Sequence, residues 1–122
     1  MYFCTCRVDI AVNCLTRRFK EKDHQTAYLA AIVAETCMKN CPKFAAGVQA
    51  RKPFMDEMVQ LAKGTKGTKA QEEGLRLIKQ WQIMFSKNQT TLPIFNEAYS
   101  YLRDRGVVFP ESVDTVEPLP DQ

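Results

Sequence analysis

Between Thr68 and Phe85 the apolar residues Leu75, Leu77, Ile78, Trp81, Met84 and Phe85 spread over about half the circumference of an α-helix. An ordinary surface helix buries a stripe only about 100° wide. An arc this broad requires packing against more than one neighbour. The segment Pro93 to Arg105 makes the same demand with Ile94, Phe95, Ala98, Tyr99, Tyr101 and Leu102. So does the stretch after Pro53, with Phe54, Met55, Met58, Val59, Leu61 and Ala62. No segment alternates apolar and polar residues with a period of two, so no strands are expected. Consecutive helices buried on two sides and joined by short turns describe a helical stack or solenoid better than a simple bundle. With 122 residues the chain is one domain, long enough for a single core.

Helix boundaries are marked along the chain. Val8, Ala11, Val12, Leu15 and Phe19 recur at helical spacing, and Arg17, Arg18 and Lys20 crowd the last turn, where cations suit the helix dipole. Asp23 is positioned to cap the next helix, which runs to about Asn40, where Pro42 ends it. Its predicted buried stripe is Leu29, Ile32, Val33 and Cys37. Phe44 to Ala50 make a short apolar turn or two, and Pro53 suits the first turn of another helix. After the loop Gly64-Thr65-Lys66-Gly67, Thr68 and Gln71 read as a capping box. Gly106 reads as a left-handed C-cap.

Composition excludes several functions. No stretch approaches the 18 or so uncharged apolar residues of a membrane span, and the first residues lack the basic-then-apolar order of a signal peptide. A soluble cytoplasmic domain is the expectation. Five cysteines, Cys4, Cys6, Cys14, Cys37 and Cys41, form no paired Cys-x-x-Cys knuckles. Cys37 and Cys41 share a helix face and could clamp a metal, but small buried thiols are the favoured reading, so no metal and no cofactor is expected. The only histidine, His24, sits at a helix start beside Asp23. No Gly-rich phosphate loop, Ser/His/Asp set or carboxylate–histidine cluster is present in the sequence, so no catalytic residue is assigned and the chain reads as a binding module. Bases alternate with acids rather than with exposed aromatics, which argues against nucleic acid. The last sixteen residues carry Glu111, Asp114, Glu117 and Asp121 and no base. Residues 1–106 therefore carry +7 against a total of +3. Such a body can be drawn to anionic lipid or acidic peptides.

Three motifs stand in register. Glu35-Thr36-Cys37-Met38-Lys39-Asn40-Cys41, followed by Lys43-Phe44, is similar to a Glu-Thr-Cys-x-Lys-Asn-Cys-Gly-x-x-Phe segment, with Pro42 in the glycine's place. Leu77-Ile78-x-x-Trp81-x-x-x-Phe85 is the second. The third is Asn96-x-Ala98-Tyr99-x-x-Leu102, running through to Phe109-Pro110. Together they resemble the VHS domain of endosomal sorting adaptors (the Tom-type, Hrs, STAM and GGA proteins), and the Tom-type members most. The match covers roughly residues 8–112.

The resemblance implies an all-α, right-handed superhelix of about five to six helices, with residues 1–112 as the domain and 113–122 as an acidic, proline-containing flexible tail. It implies a non-enzymatic adaptor in vesicular protein sorting, peripheral on endosomal or Golgi membranes. Cys37, Asn40, Cys41, Trp81, Phe85, Tyr99 and Leu102 are its structural signature. If residues 8–20 are the family's third helix, its first two have no counterpart here, nor does the second-helix tryptophan central to ubiquitin binding. Only the fourth-helix half of that site carries over, to Gln25, Tyr28 and Leu29, of which Tyr28 and Leu29 are favoured as core. The absent helices would leave the apolar face of residues 8–19 uncovered and prone to self-association. Arg7, Arg17, Arg18, Lys20 and Lys22 could form a basic patch for phosphoinositide surfaces, one alternative function; a helical scaffold for another protein partner is the other. Where the GGA sixth helix has the basic and amide residues of its acidic-dileucine groove, this chain has Gln71, Glu72 and Glu73, and the two acids, partly offset by Lys66 and Lys69, would repel such a signal.

Overall fold

The computed structural model describes residues 7–110 and contains six helices: α1 (Val8–Lys20), α2 (His24–Asn40), α3 (Phe44–Ala50), α4 (Pro53–Ala62), α5 (Gly67–Met84) and α6 (Pro93–Asp104). The described residues hold no strand. The all-α superhelical class expected from the sequence is therefore the one observed. Cys4, Cys6 and the tail reading of 113–122 lie outside the described residues.

Local chemistry accounts for most of the boundaries. The Asp23 carboxylate accepts from the Thr26 backbone N–H at 3.2 Å and from its hydroxyl at 2.8 Å, closing the α2 N-terminus. These bonds, the hydroxyl's first, hold the Asp23 carboxyl below its ordinary value. Pro53 opens α4 in the first turn. At the end of α6, Gly106 adopts φ +83° and its N–H reaches Arg103 O, while Val107 N–H reaches Leu102 O. That pair of bonds is the Schellman closure, and Val107 packs back on the core beside it.

The expected Thr68 capping box does not form. The chain enters α5 two residues earlier than a Thr68 cap requires, through Gly67 at φ +87°, with Lys66 as an N-cap that makes no side-chain bond. Thr68 then lies inside the first turn, where its hydroxyl can no longer cap. Gln71 instead donates its amide to Ala62 O at 3.3 Å, tying α5 to the end of α4.

Helix α5 is the centre of the stack, packed on α2, α4 and α6. Its broad apolar arc is thereby used on all sides, and Leu77, Ile78 and Trp81 are fully buried. At Gly74 the helix passes so close to α4 that a Cβ would stand 3.2 Å from the Ala62 nitrogen. An aromatic series crosses the layers. Phe19 and Phe44 meet Phe54 edge-on at 5.3 and 6.0 Å, Phe54 meets Trp81 at 6.3 Å, and Trp81 meets Phe95 at 6.0 Å. Phe95 in turn stacks on Phe85 at 4.8 Å, so five of the six helices share one run of rings.

Two expectations about burial are corrected. First, α2 does not bury Leu29, Ile32 and Val33. Its inner face is Ala27, Ala30, Ala31, Ala34, Cys37 and Met38, because a row of small side chains lets α2 approach both α1 and α5 closely. Second, the apolar face of α1 is not uncovered. Val12, Leu15 and Phe19 are buried by α2, α3 and α4, and Ile10 is the large apolar residue of α1 left exposed. The structure thus removes the reason given for self-association through residues 8–19.

Trp81 buries its whole side chain, with its indole N–H lacking a hydrogen-bond partner among the described residues. Replacing Trp81 with Ala is expected to cost about 3–5 kcal/mol. Trp81→Phe keeps the ring contacts and removes the unsatisfied donor, so it should cost clearly less. Urea unfolding of the two variants checks this, and equal losses would contradict the ring-packing role.

Candidate functional site

The side chains expected inside α2 instead form its outward face. Leu29 is 49% exposed, Val33 47% and Ile32 37%, and they recur at i, i+3 and i+4 as one ridge. Exposed Gln25 and Thr36 lie one turn before and one turn after. Tyr28 flanks the ridge, half-buried against the core, with the Lys69 ammonium of α5 4.5 Å from its ring centroid. Gln25, Tyr28 and Leu29 are thus brought together on one accessible face, and the reading of Leu29 as core is overturned. Sequence reasoning missed Ile32 and Val33 as surface residues. The signal was the rival row of alanines at the same helical spacing, offset by two residues.

The basic residues divide into two places. Arg17, Arg18, Lys20 and Lys22 are exposed around the corner between α1 and α2, where Arg18 pairs with Glu21 at 3.4 Å. Arg7 stands at the other end of α1, roughly 15 Å or more away along the axis by helical rise, and pairs with Asp9 at 3.2 Å. That pairing, Arg7's hydrogen bond foremost, lowers the Asp9 carboxyl's pKa. Arg7 is therefore not part of the corner cluster.

The signature segment at the end of α2 divides by face. Cys37 and Cys41 are buried. Asn40, the polar member of the signature, is exposed and caps its own helix by donating to Thr36 O at 2.9 Å. Trp81, Phe85 and Leu102 are buried, and Tyr99 is half-buried with its ring 4.7 Å from that of Phe109. Glu35 has the strongest polar role. Arg76 of α5 grips both its oxygens at 2.8 and 3.2 Å, Lys39 approaches at 3.1 Å, and Arg76 also pairs with Glu73. This bidentate fork fastens α2 to α5. Burial resists ionisation of Glu35, yet hydrogen bonds from Arg76 and Lys39 outweigh it and hold the carboxyl below its ordinary value. Glu73 and Glu35 in turn raise the pKa of Arg76.

Of the three α5 residues expected to disfavour an acidic signal, Glu73 is committed to Arg76 and Gln71 to Ala62 O, while Glu72 is exposed. His24 is exposed, against Gly67. Among the described residues no group of three or more His, Cys, Asp or Glu is placed to hold a metal ion. No described helix is long and apolar enough to cross a membrane.

Because the folded-state pKa of Glu35 lies below the ordinary 4.5, its contribution is complete above that value and is lost as pH falls through the folded pKa. Glu35→Gln should lower stability at neutral pH by about 1–3 kcal/mol. It should also flatten the loss of stability between about pH 6 and pH 3. Denaturant unfolding across that range is the measurement, and an unchanged slope would show that the carboxylate is not held by Arg76.

The sequence profile described as VHS domain matches residues 7–106. TOM1-like protein 1 of Arabidopsis thaliana is 35% identical over 97 residues, which cover 79% of this chain and 23% of that protein. TOM1-like protein 8 of the same plant is 31% identical over 100 residues, covering 82% and 16% of the two chains. TOM1-like protein 6 is 28% identical over 108 residues, covering 88% and 16%. The chain thus spans less than a quarter of the length of these curated relatives. No solved structure matches at a comparable level. The profile match over nearly the whole described helical stack, and the sequence relatives, establish that this chain belongs to the VHS domain family.

Proposed function

We propose that this domain serves as a non-enzymatic adaptor module in membrane traffic, with the outward face of α2 as its cargo-binding surface and ubiquitin as its ligand. The observation that carries the reading is the exposed ridge Leu29, Ile32 and Val33, with Gln25 and Tyr28 beside it. A contiguous apolar ridge rimmed by polar groups is unusual on a domain whose other large apolar residues are mostly buried, and such patches mark interaction sites. VHS membership and the TOM1-like relatives support the trafficking context. The placement of the domain on endosomal or Golgi membranes belongs to the same proposal. Titrating the isotope-labelled chain with ubiquitin should move NMR signals between Gln25 and Thr36 in a saturable way. Val33→Asp should abolish the response without changing the thermal melt. No movement at high micromolar ubiquitin would sink the ubiquitin reading.

A second reading has its own observation, the exposed cations Arg17, Arg18, Lys20 and Lys22 at the α1–α2 corner. They suit an anionic phosphoinositide surface. Co-sedimentation with phosphoinositide vesicles should fall when Arg17 and Lys20 are both changed to Glu, and should weaken with salt. Pelleting that ignores lipid composition or salt would count against it.

A further inference from the structure

Helices α4 and α6 run in the same direction, and a groove of about 310 Å³ opens between them. The direction follows from contacts at its two ends. At one end the Ile94 N–H donates at 2.9 Å to Gln49 Oε1 of α3, just ahead of α4, and Ile94 lines the groove with Lys52 and Met55; at the far end Lys63 Nζ donates to the Tyr101 hydroxyl at 3.0 Å. Met55, Val59, Ile94 and Ala98 make the apolar floor, each wall contributing residues at i, i+3 or i+4. This face is built from helices other than those that carry the α2 ridge.

The groove has a sharply divided charge. At its C-terminal end the Arg105 guanidinium lies 3.6 Å from the Tyr101 ring centroid and Lys63 stands 5.0 Å from the same ring. Neither cation pairs with a carboxylate among the described residues, and the Lys63 hydrogen bond lowers the pKa of the Tyr101 hydroxyl. One to two turns back, Asp56 and Glu97 face each other across the walls, also without an ion-pair partner among the described residues, and Lys52 closes the far end.

We propose that this groove docks an amphipathic helical segment of a partner protein, laid antiparallel to α4 and α6. Its first turn is acidic and meets Lys63, Tyr101 and Arg105. Its apolar stripe covers Val59 and the floor. A basic residue one to two turns later meets Asp56 and Glu97. The antiparallel direction also sets the partner's electropositive helix start against the electronegative ends of α4 and α6. A ridge laid between two parallel helices is the helix-in-groove mode of recognition, and the matched signs fix which end lies where.

The probe is a synthetic helical peptide of about sixteen residues, long enough to hold a helix, with Glu in the first turn, Leu at i, i+3, i+4 and i+7, and Lys from the second turn onward. A second peptide exchanges the Glu and Lys positions. The first should give saturable NMR shifts confined to residues 52–63 and 94–105, and the exchange should weaken it about tenfold. Val59→Asp, which leaves the ridge of α2 intact, should remove the response while the helical circular-dichroism signal is kept, with a lowered melt because Val59 is half-buried against the core. Lys63→Glu with Arg105→Glu should reverse the preference between the two peptides. Val33→Asp should leave it unaltered, which separates this site from the ubiquitin reading. Equal binding of the two peptides, shifts centred on α2, no shift at millimolar peptide, or the same shifts from anionic vesicles alone would each overturn the proposal.

Discussion

Trp81 is the contact on which the rest of the stack depends. It is fully buried in the central helix and touches Phe54 of α4 on one side and Phe95 of α6 on the other. Phe54 passes the contact to Phe19 and Phe44, and Phe95 passes it to Phe85. A solenoid of short helices lacks the long seams of a coiled coil, so its layers must be coupled by a few large side chains. Ring pairs do this efficiently because they bury large areas with few rotatable bonds. The polar clamp between Glu35, Arg76 and Glu73 closes the other face of α5 against α2. It sets register where the alanine face, being smooth, would specify it poorly.

Most of the fold was legible because its signals were redundant. The half-circumference arcs of α4, α5 and α6 demanded two-sided burial, Asp23, Pro53 and Gly106 marked boundaries, and all three behave as their chemistry requires. The capping box failed for a local reason. A left-handed Gly67 moved the helix start by two residues, and a side chain within the first turn cannot do the work of one before it. Such offsets are decided by backbone geometry that residue types alone do not reveal.

The candidate site was harder to read, since α2 carries two apolar rows. Hydrophobicity favours Leu29, Ile32 and Val33 for the interior, and side-chain size favours Ala27, Ala30, Ala31 and Ala34. Size prevailed because α2 lies in a crevice between α1 and α5, where a bulky row would hold the helices apart. The large residues are then left facing outward, at an energetic disadvantage that an isolated domain gains nothing from. The Glu35–Arg76 bond was illegible for a different reason: 41 residues separate its ends, and nothing local announces a pairing made by tertiary contact.

The signature Glu35 to Cys41 therefore does two structural jobs. Its inner residues, Cys37 and Cys41, fill the core, while Glu35 is consumed by the clamp to α5. Because the clamp fixes how α2 rolls about its own axis, it also fixes the direction in which the Leu29–Val33 ridge points. A substitution at Arg76 would disturb that ridge without touching it, through rotation of the helix that carries it. The same logic separates the two surfaces of the domain. The ridge depends on the α2–α5 clamp, whereas the groove between α4 and α6 depends on Trp81 and Phe95 beneath it. On the proposed reading of both surfaces, two faces held by different interactions can be occupied independently of one another.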